Sequence, residues 1–243
     1  MSNDGDRRLH AEGRPDRKGI GFVALLAWQR SCMPAESGSL AALLSHQHWQ
    51  IEKRRSEQSM RKLIYAIHTT LDGCVDHTKQ FVDEEAFEYS AHLIRDVDLL
   101  AFGRKTYQLM VPYWPDVAKD PSATKSDAEF ARTFDSINKI VFSRSLASAE
   151  DRNTRIVRGN LRDETLKLKQ ARGKNILVGG VDIPSQLIEL GLVDEYHFVV
   201  GPILAGEGRR LFEGVSLRER LQLKLVESKI FKSGCVALHY LKQ

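Results

Sequence analysis

From Met60 onward, short apolar runs alternate with stretches of helical period, and that alternation decides what the chain can fold into. The runs at 62–69, 97–102, 138–143, 174–178 and 194–200 are each four to eight residues long with an apolar stretch at their heart, the mark of a buried strand. Between them the spacing predicts helices after Asp83, from Gly103 to Met110, over 126–136, over 161–171 and over 183–191. Asp83 can cap the first of these, with Phe87, Ser90, Leu93 and Ile94 on one face. Pro112 and Pro115, on either side of Trp114, predict that the second helix stops before them. Two longer strands, 220–230 and 234–242, meet at Lys232-Ser233-Gly234, a hairpin signal. The expected fold is α/β in three layers: a mostly parallel central sheet, helices on both faces, and an antiparallel hairpin at the C-terminus.

The first 59 residues have another character. Residues 1–19 are polar and lack an apolar period, which predicts disorder, and Ser39 could cap a helix within 37–58. The expected organisation is a poorly ordered or partly helical extension over 1–59 and one domain over 60–243. The abrupt change at Met60, preceded by Glu52-Lys53-Arg54-Arg55 as a translated purine-rich ribosome-binding site would read, suggests Met60 as the native start. The rival reading is a genuine appendage for targeting or partner binding.

Composition excludes several classes. With 36 basic and 32 acidic residues the net charge is +4, spread along the chain, which does not predict nucleic-acid binding. No stretch reaches the ~20 apolar residues of a membrane span. Cys32, Cys74 and Cys235 are far apart and odd in number, so they read as reduced thiols of a cytoplasmic protein rather than a disulfide or zinc framework. His46 and His48 have no third ligand nearby, and no metal is expected.

Three strand ends carry groups suited to an anion. Gly103, Arg104, Lys105 and Thr106 follow one strand and open a helix, whose first N–H groups and partial positive charge favour phosphate. Ser143 and Arg144 end another, and Gly179-Gly180 ends a third and opens a helix. Ligands of open α/β sheets bind at such ends, so the three could share one crevice.

These runs, followed by Gly201-Pro202, Gly206-Glu207-Gly208 and Leu211-Phe212, occur in an order that resembles the dihydrofolate reductase superfamily. The likeness is greatest to the reductase domain of the bifunctional riboflavin-biosynthesis deaminase/reductase and its stand-alone relatives. Thr70-Leu71-Asp72-Gly73 and Tyr113-Trp114-Pro115 match those relatives too, and the resemblance covers about residues 60–243.

The resemblance implies an NADPH-dependent reductase acting on a small heterocycle or ribosylamino-pyrimidine, and a homodimer. It places Gly103, Arg104, Lys105 and Thr106 on the cofactor phosphates, Ser143 and Arg144 by the 2′-phosphate, and Gly179 and Gly180, flanked by Val178 and Val181, on the pyrophosphate. Asp72, Trp114, Gly201 and Pro202 become candidates for the substrate side. The catalytic proton donor stays open, with Asp72, a glutamate of the first helix (Glu84, Glu85 or Glu88) and water as alternatives. No deaminase zinc signature is present. The rival functions are a true dihydrofolate reductase and a non-catalytic nucleotide-binding protein.

Overall fold

The computed structural model describes residues 60–214, 217 and 220–243, and the expectations for 1–59 lie outside them. Eight strands form one sheet: β1 (Leu63–Thr70), β2 (Val97–Gly103), β3 (Asn138–Phe142), β4 (Thr154–Val157), β5 (Asn175–Val178), β6 (Glu195–Gly201), β7 (Leu223–Ile230) and β8 (Val236–Lys242). Their order is β4-β3-β2-β5-β1-β6-β8-β7, parallel from β4 to β6 and antiparallel across β6-β8-β7. This is the α/β architecture that the alternation predicts.

Five helices cover the sheet: α1 (Glu84–Arg95), α2 (Arg104–Val117), α3 (Lys125–Ser136), α4 (Leu161–Gln170) and α5 (Asp182–Glu189). Side chains alternate between the faces of each strand. Leu100, Phe102 and Val141 therefore face α1, α2 and α3, burying Ile94, Val111, Phe130 and Phe134. Leu99, Ala101, Ile140, Ile176 and Val178 point the other way and pack on Leu187 and Ile188 of α5.

Helix starts follow local chemistry. Asp83, Thr124 and Asn160 accept hydrogen bonds from the first-turn amides of α1, α3 and α4, as N-cap side chains do.

Two expectations are corrected. The helix from Gly103 does not stop at Met110 but runs to Val117, with Pro112 and Pro115 inside it. Each proline removes one amide donor, yet Val111 is buried, Trp114 packs against Phe87 and Phe130, and Ala118 N again reaches Trp114 O at 3.0 Å. Tertiary packing outweighs the local penalty of about 3 kcal/mol or more per interior proline. Strand β4 was not anticipated; its four residues, Thr154 to Val157, sit at the sheet edge beside β3. Among the described residues no helix is long and apolar enough to cross a membrane.

Candidate functional site

The sheet order brings the three strand ends together. Strands β3, β2 and β5 are consecutive neighbours, so Ser143, Gly103 and Gly179 follow adjacent parallel strands and emerge on one edge. A groove of about 640 Å³ lies there, with Gly103, Arg104, Lys105, Thr106, Ser143 and Gly180 on its wall, and Val181 beside them. Arg104 and Lys105 are exposed.

The two helices that open on this groove differ from the rest. Gly103 precedes α2 and Val181 precedes α5, and neither provides a side-chain cap. Their first amides thus keep donors that the caps satisfy in α1, α3 and α4. Free N–H groups, two helix dipoles and the Arg104 and Lys105 cations converge on one space, which suits a pyrophosphate.

The Gly-Gly turn is shaped by its neighbours. Gly180 has φ +89°, and a Cβ there would overlap Thr106 Oγ1. A Cβ on Gly179 would come within 3.2 Å of the Phe102 ring. The Tyr65 hydroxyl donates to Gly180 O at 3.2 Å, and Gly179 N donates to Ala101 O at 3.1 Å. Burial pushes the Tyr65 phenol well above its usual range, so it stays a donor. Val178, one residue earlier, is fully buried and anchors the turn rather than lining the groove.

Ser143 and Arg144 differ in placement. The Ser143 hydroxyl accepts from Leu146 N at 3.0 Å and fixes the turn after β3. Ser143 and Ser145 line the groove, while Arg144 between them is exposed and lies off the groove wall. Two carboxylates also stand in the groove: Asp76, which accepts from Thr78 N at 3.0 Å, and Asp182, in the first turn of α5. Arg209 pairs with it, holding the Asp182 carboxyl below its usual range and offsetting its charge.

A larger cavity of about 850 Å³ adjoins the groove, and Thr106, Leu109 and Gly180 belong to both walls. It lies between the sheet and α1, α2 and α3. Trp114 serves as both core and wall: its ring is 5.7 Å from Phe87, 4.4 Å from Phe130 and 5.0 Å from Tyr113. His68 stands on the β1 side of the wall, bonded through Nε2 to Ser90 Oγ at 2.7 Å, with Nδ1 buried and unpartnered. Burial lowers its pKa to about 4, so the ring is neutral near pH 7. Of the three first-helix glutamates only Glu84 is on the wall; Glu85 accepts from Lys232 N at 2.9 Å, and Glu88 faces His92 at 3.9 Å.

Residues 61–237 match the family described as the RibD C-terminal domain. The chain belongs to that family. Among curated proteins it is 32% identical over 184 residues to the uncharacterized protein YyaP of Bacillus subtilis (strain 168), covering 74% of this chain and 94% of that one. A second protein of the same strain, the uncharacterized YwjB, is 27% identical over 175 residues, or 70% of this chain and 88% of its own. Among solved structures, a candidate riboflavin biosynthesis protein from Shewanella sp. PV-4 superposes with a TM-score of 0.58 at 20% identity, over 75% of this chain and 99% of that one. The Thermotoga maritima diaminohydroxyphosphoribosylaminopyrimidine deaminase/5-amino-6-(5-phosphoribosylamino)uracil reductase gives 0.55 at 13% identity, over 77% of this chain and 58% of that one. At such identities these structures establish the fold.

In this RibD C-terminal domain the remaining candidates lie away from both grooves. Asp72 accepts from Ala205 N at 3.0 Å and Gly206 N at 2.9 Å, takes the Thr70 hydroxyl as well, and faces Arg210 at 3.3 Å. These donors, Thr70 first, hold its carboxyl well below the usual range. The side chain clamps the 203–206 loop to the end of β1. Gly201 is buried against the Phe81 backbone, and Pro202 lies beside Gly234.

Sequence reasoning passed over Arg209 and His68. Arg209 directly follows Gly206-Glu207-Gly208, and a cation after a glycine-rich loop was the available signal. His68 sits in an apolar run and reads as core.

Proposed function

We propose that the chain is an NADPH-dependent reductase of a small heterocyclic substrate, with the cofactor phosphates in the smaller groove and the substrate in the larger cavity. The observation that carries this reading is the pair of uncapped helix starts, α2 and α5, opening on one groove beside Arg104 and Lys105. The residues fit a dinucleotide: the bare backbone of Gly180 closes against Thr106 at the groove wall, and Arg104 and Lys105 are exposed and available to a 2′-phosphate. Arg144, one residue beyond the groove wall, adds charge at the same edge.

When bound, the dihydronicotinamide supplies a hydride to a C=N or C=O bond of the substrate. The chain's own part is to bind, orient and exclude water. Thr106 and Gly180, shared by both walls, mark where cofactor and substrate meet. The neutral His68 holds no ionic proton, so a proton comes from water or from Glu84 at the cavity wall. The reading extends to a cytoplasmic homodimer, in which β7, the edge of the described sheet with Leu225, Val226 and Ile230 exposed, is one surface open to pairing.

The test is binding of NADPH and NADH by nicotinamide fluorescence, followed by NADPH oxidation with a substrate panel that includes 5-amino-6-ribosylamino-uracil phosphate. Tight NADPH binding with turnover of at least one member is expected. Failure of NADPH to bind overturns the reading, and binding without turnover favours a non-catalytic nucleotide-binding protein. One observation favours dihydrofolate as a second reading: Glu84, an acid at the start of the first helix, lies on the cavity wall. Turnover of dihydrofolate, blocked by methotrexate, would establish it.

A further inference from the structure

We infer that the larger cavity binds a planar, apolar heteroaromatic compound carrying no phosphate. The inference rests on the reductase reading only for which of the two grooves is left to the substrate.

Flat ring surface dominates the wall. Phe87 lies nearly parallel to Trp114, with centroids 5.7 Å apart and planes at 29°, and Tyr113 meets Trp114 edge-on at 82°. Phe130 closes the cluster at 4.4 Å from Trp114. Such rings stack on a flat π-system and give little to a branched polyol.

Charge on the wall has one sign. Its acidic members are Asp83, Glu84 and Asp127, and among the described residues no lysine or arginine lies on it. Asp83 and Asp127 serve α1 and α3, receiving Ala86 N at 2.8 Å and the Thr124 hydroxyl at 2.8 Å. Of the histidines on the β-sheet side, His68 is buried and neutral near pH 7, and His197 is engaged through Nδ1 with the Tyr89 hydroxyl at 2.7 Å and faces Glu195 at 3.9 Å through Nε2. His77, also on the wall, is exposed. A phosphate dianion here would lose hydration and meet three carboxylates with no guanidinium or ammonium partner, an unfavourable exchange. The cations that would hold one, Arg104, Lys105 and Arg209, line the other groove. For a ring nitrogen or carbonyl the cavity does offer polar partners, in His68, Ser90 and Gln80.

Isothermal titration calorimetry on the full chain tests this directly, with quinazolin-4-one and with 5-amino-6-ribosylamino-uracil and its 5′-phosphate as probes. Quinazolin-4-one should bind tightest, and the phosphorylated nucleoside should bind at least about tenfold more weakly than its phosphate-free partner, the scale of one missing charge-assisted bond. Equal or tighter binding of the phosphorylated form overturns the inference. Tyr113→Arg, at an exposed position of the same wall, should raise affinity for the phosphorylated form about tenfold, again the scale of one charge-assisted bond. No gain in that variant counts against the cavity as the binding place. NADPH affinity, read separately, keeps the two readings apart. Lost NADPH binding with the phosphate-free preference intact overturns the reductase reading alone; intact NADPH binding with the phosphate preferred overturns this inference alone.

Discussion

Thr106 occupies the space that any side chain at Gly180 would need, and Gly180 holds a backbone φ of +89° that disfavours other residues. Gly180→Ala is therefore penalised twice, by the left-handed backbone and by overlap with the Thr106 hydroxyl. The expected cost is about 1–3 kcal/mol of stability in urea melts, with loss of NADPH binding. Adding Thr106→Ala removes the overlapping hydroxyl but leaves the backbone strain, so stability should recover only in part. Full recovery would mean that the backbone angle contributes nothing.

Arg104 sits at the first position of α2, exposed, with Nη1 on Gln108 Oε1 at 3.0 Å. If it binds the 2′-phosphate, Arg104→Ala weakens NADPH by about 2 kcal/mol, the value of a charge-assisted hydrogen bond, and hardly changes NADH. Parallel titrations with both nucleotides check this. Equal losses would place Arg104 on the pyrophosphate they share.

His68 makes stability depend on pH. The folded ring takes its proton only near pH 4, whereas an unfolded histidine takes it near 6.5. Through that window the unfolded state binds more protons, so stability falls as pH drops from about 6.5 to 4. The contribution is on the order of 2–3 kcal/mol. Urea melts at pH 7.5, 5.5 and 4.5 should show a steeper decline for the wild type than for His68→Gln, which cannot take up that proton.

Lys139 is buried within β3 and lies 3.1 Å from Asp151, which also accepts the Tyr107 hydroxyl at 2.9 Å. Burial alone would raise the Asp151 carboxyl, but these donors outweigh it and hold the pKa down. Its stabilisation is present above the unfolded value of about 3.9 and is lost as pH falls through the lower folded one. Asp151→Asn leaves the buried lysine charge without a counter-ion, beside the Ile137 carbonyl at 3.1 Å and the Phe134 ring at 4.9 Å. A loss of about 3 kcal/mol is expected at pH 7, with a shallower acid limb than the wild type. Thermal and urea denaturation at pH 7 and pH 3 test both statements.

Much of the sheet was legible because strands such as 97–102 and 174–178 carry an apolar run that stops at glycine, where period and punctuation agree. The gathering of Gly103, Ser143 and Gly180 was legible for a related reason: parallel strands that each lead into a turn deliver their ends to one edge. Strand β4 escaped because Thr154 to Val157 is only four residues long and Arg155 interrupts its apolar pattern; it pairs because β3 offers an edge, a tertiary fact. The course of α2 through Pro112 and Pro115 escaped because the rings of Phe87 and Phe130 decide it, and they lie on other helices. Asp72 carries a motif that reads equally as substrate contact or loop clamp, and only the amides of Ala205 and Gly206, 133 and 134 residues away, show the clamp.

The central position of β1 has a consequence for synthesis. Lys62, at its start, takes hydrogen-bond partners at Asn175 and Glu195, 113 and 133 residues further along. The earliest of these strands to leave the ribosome must therefore wait, apolar and unpaired, until nearly all of its partners have been translated. Sheet closure is then a late event with a high contact order, and a nascent chain stalled before Glu195 would present β1 with one side open, ready for a chaperone or for another stalled copy.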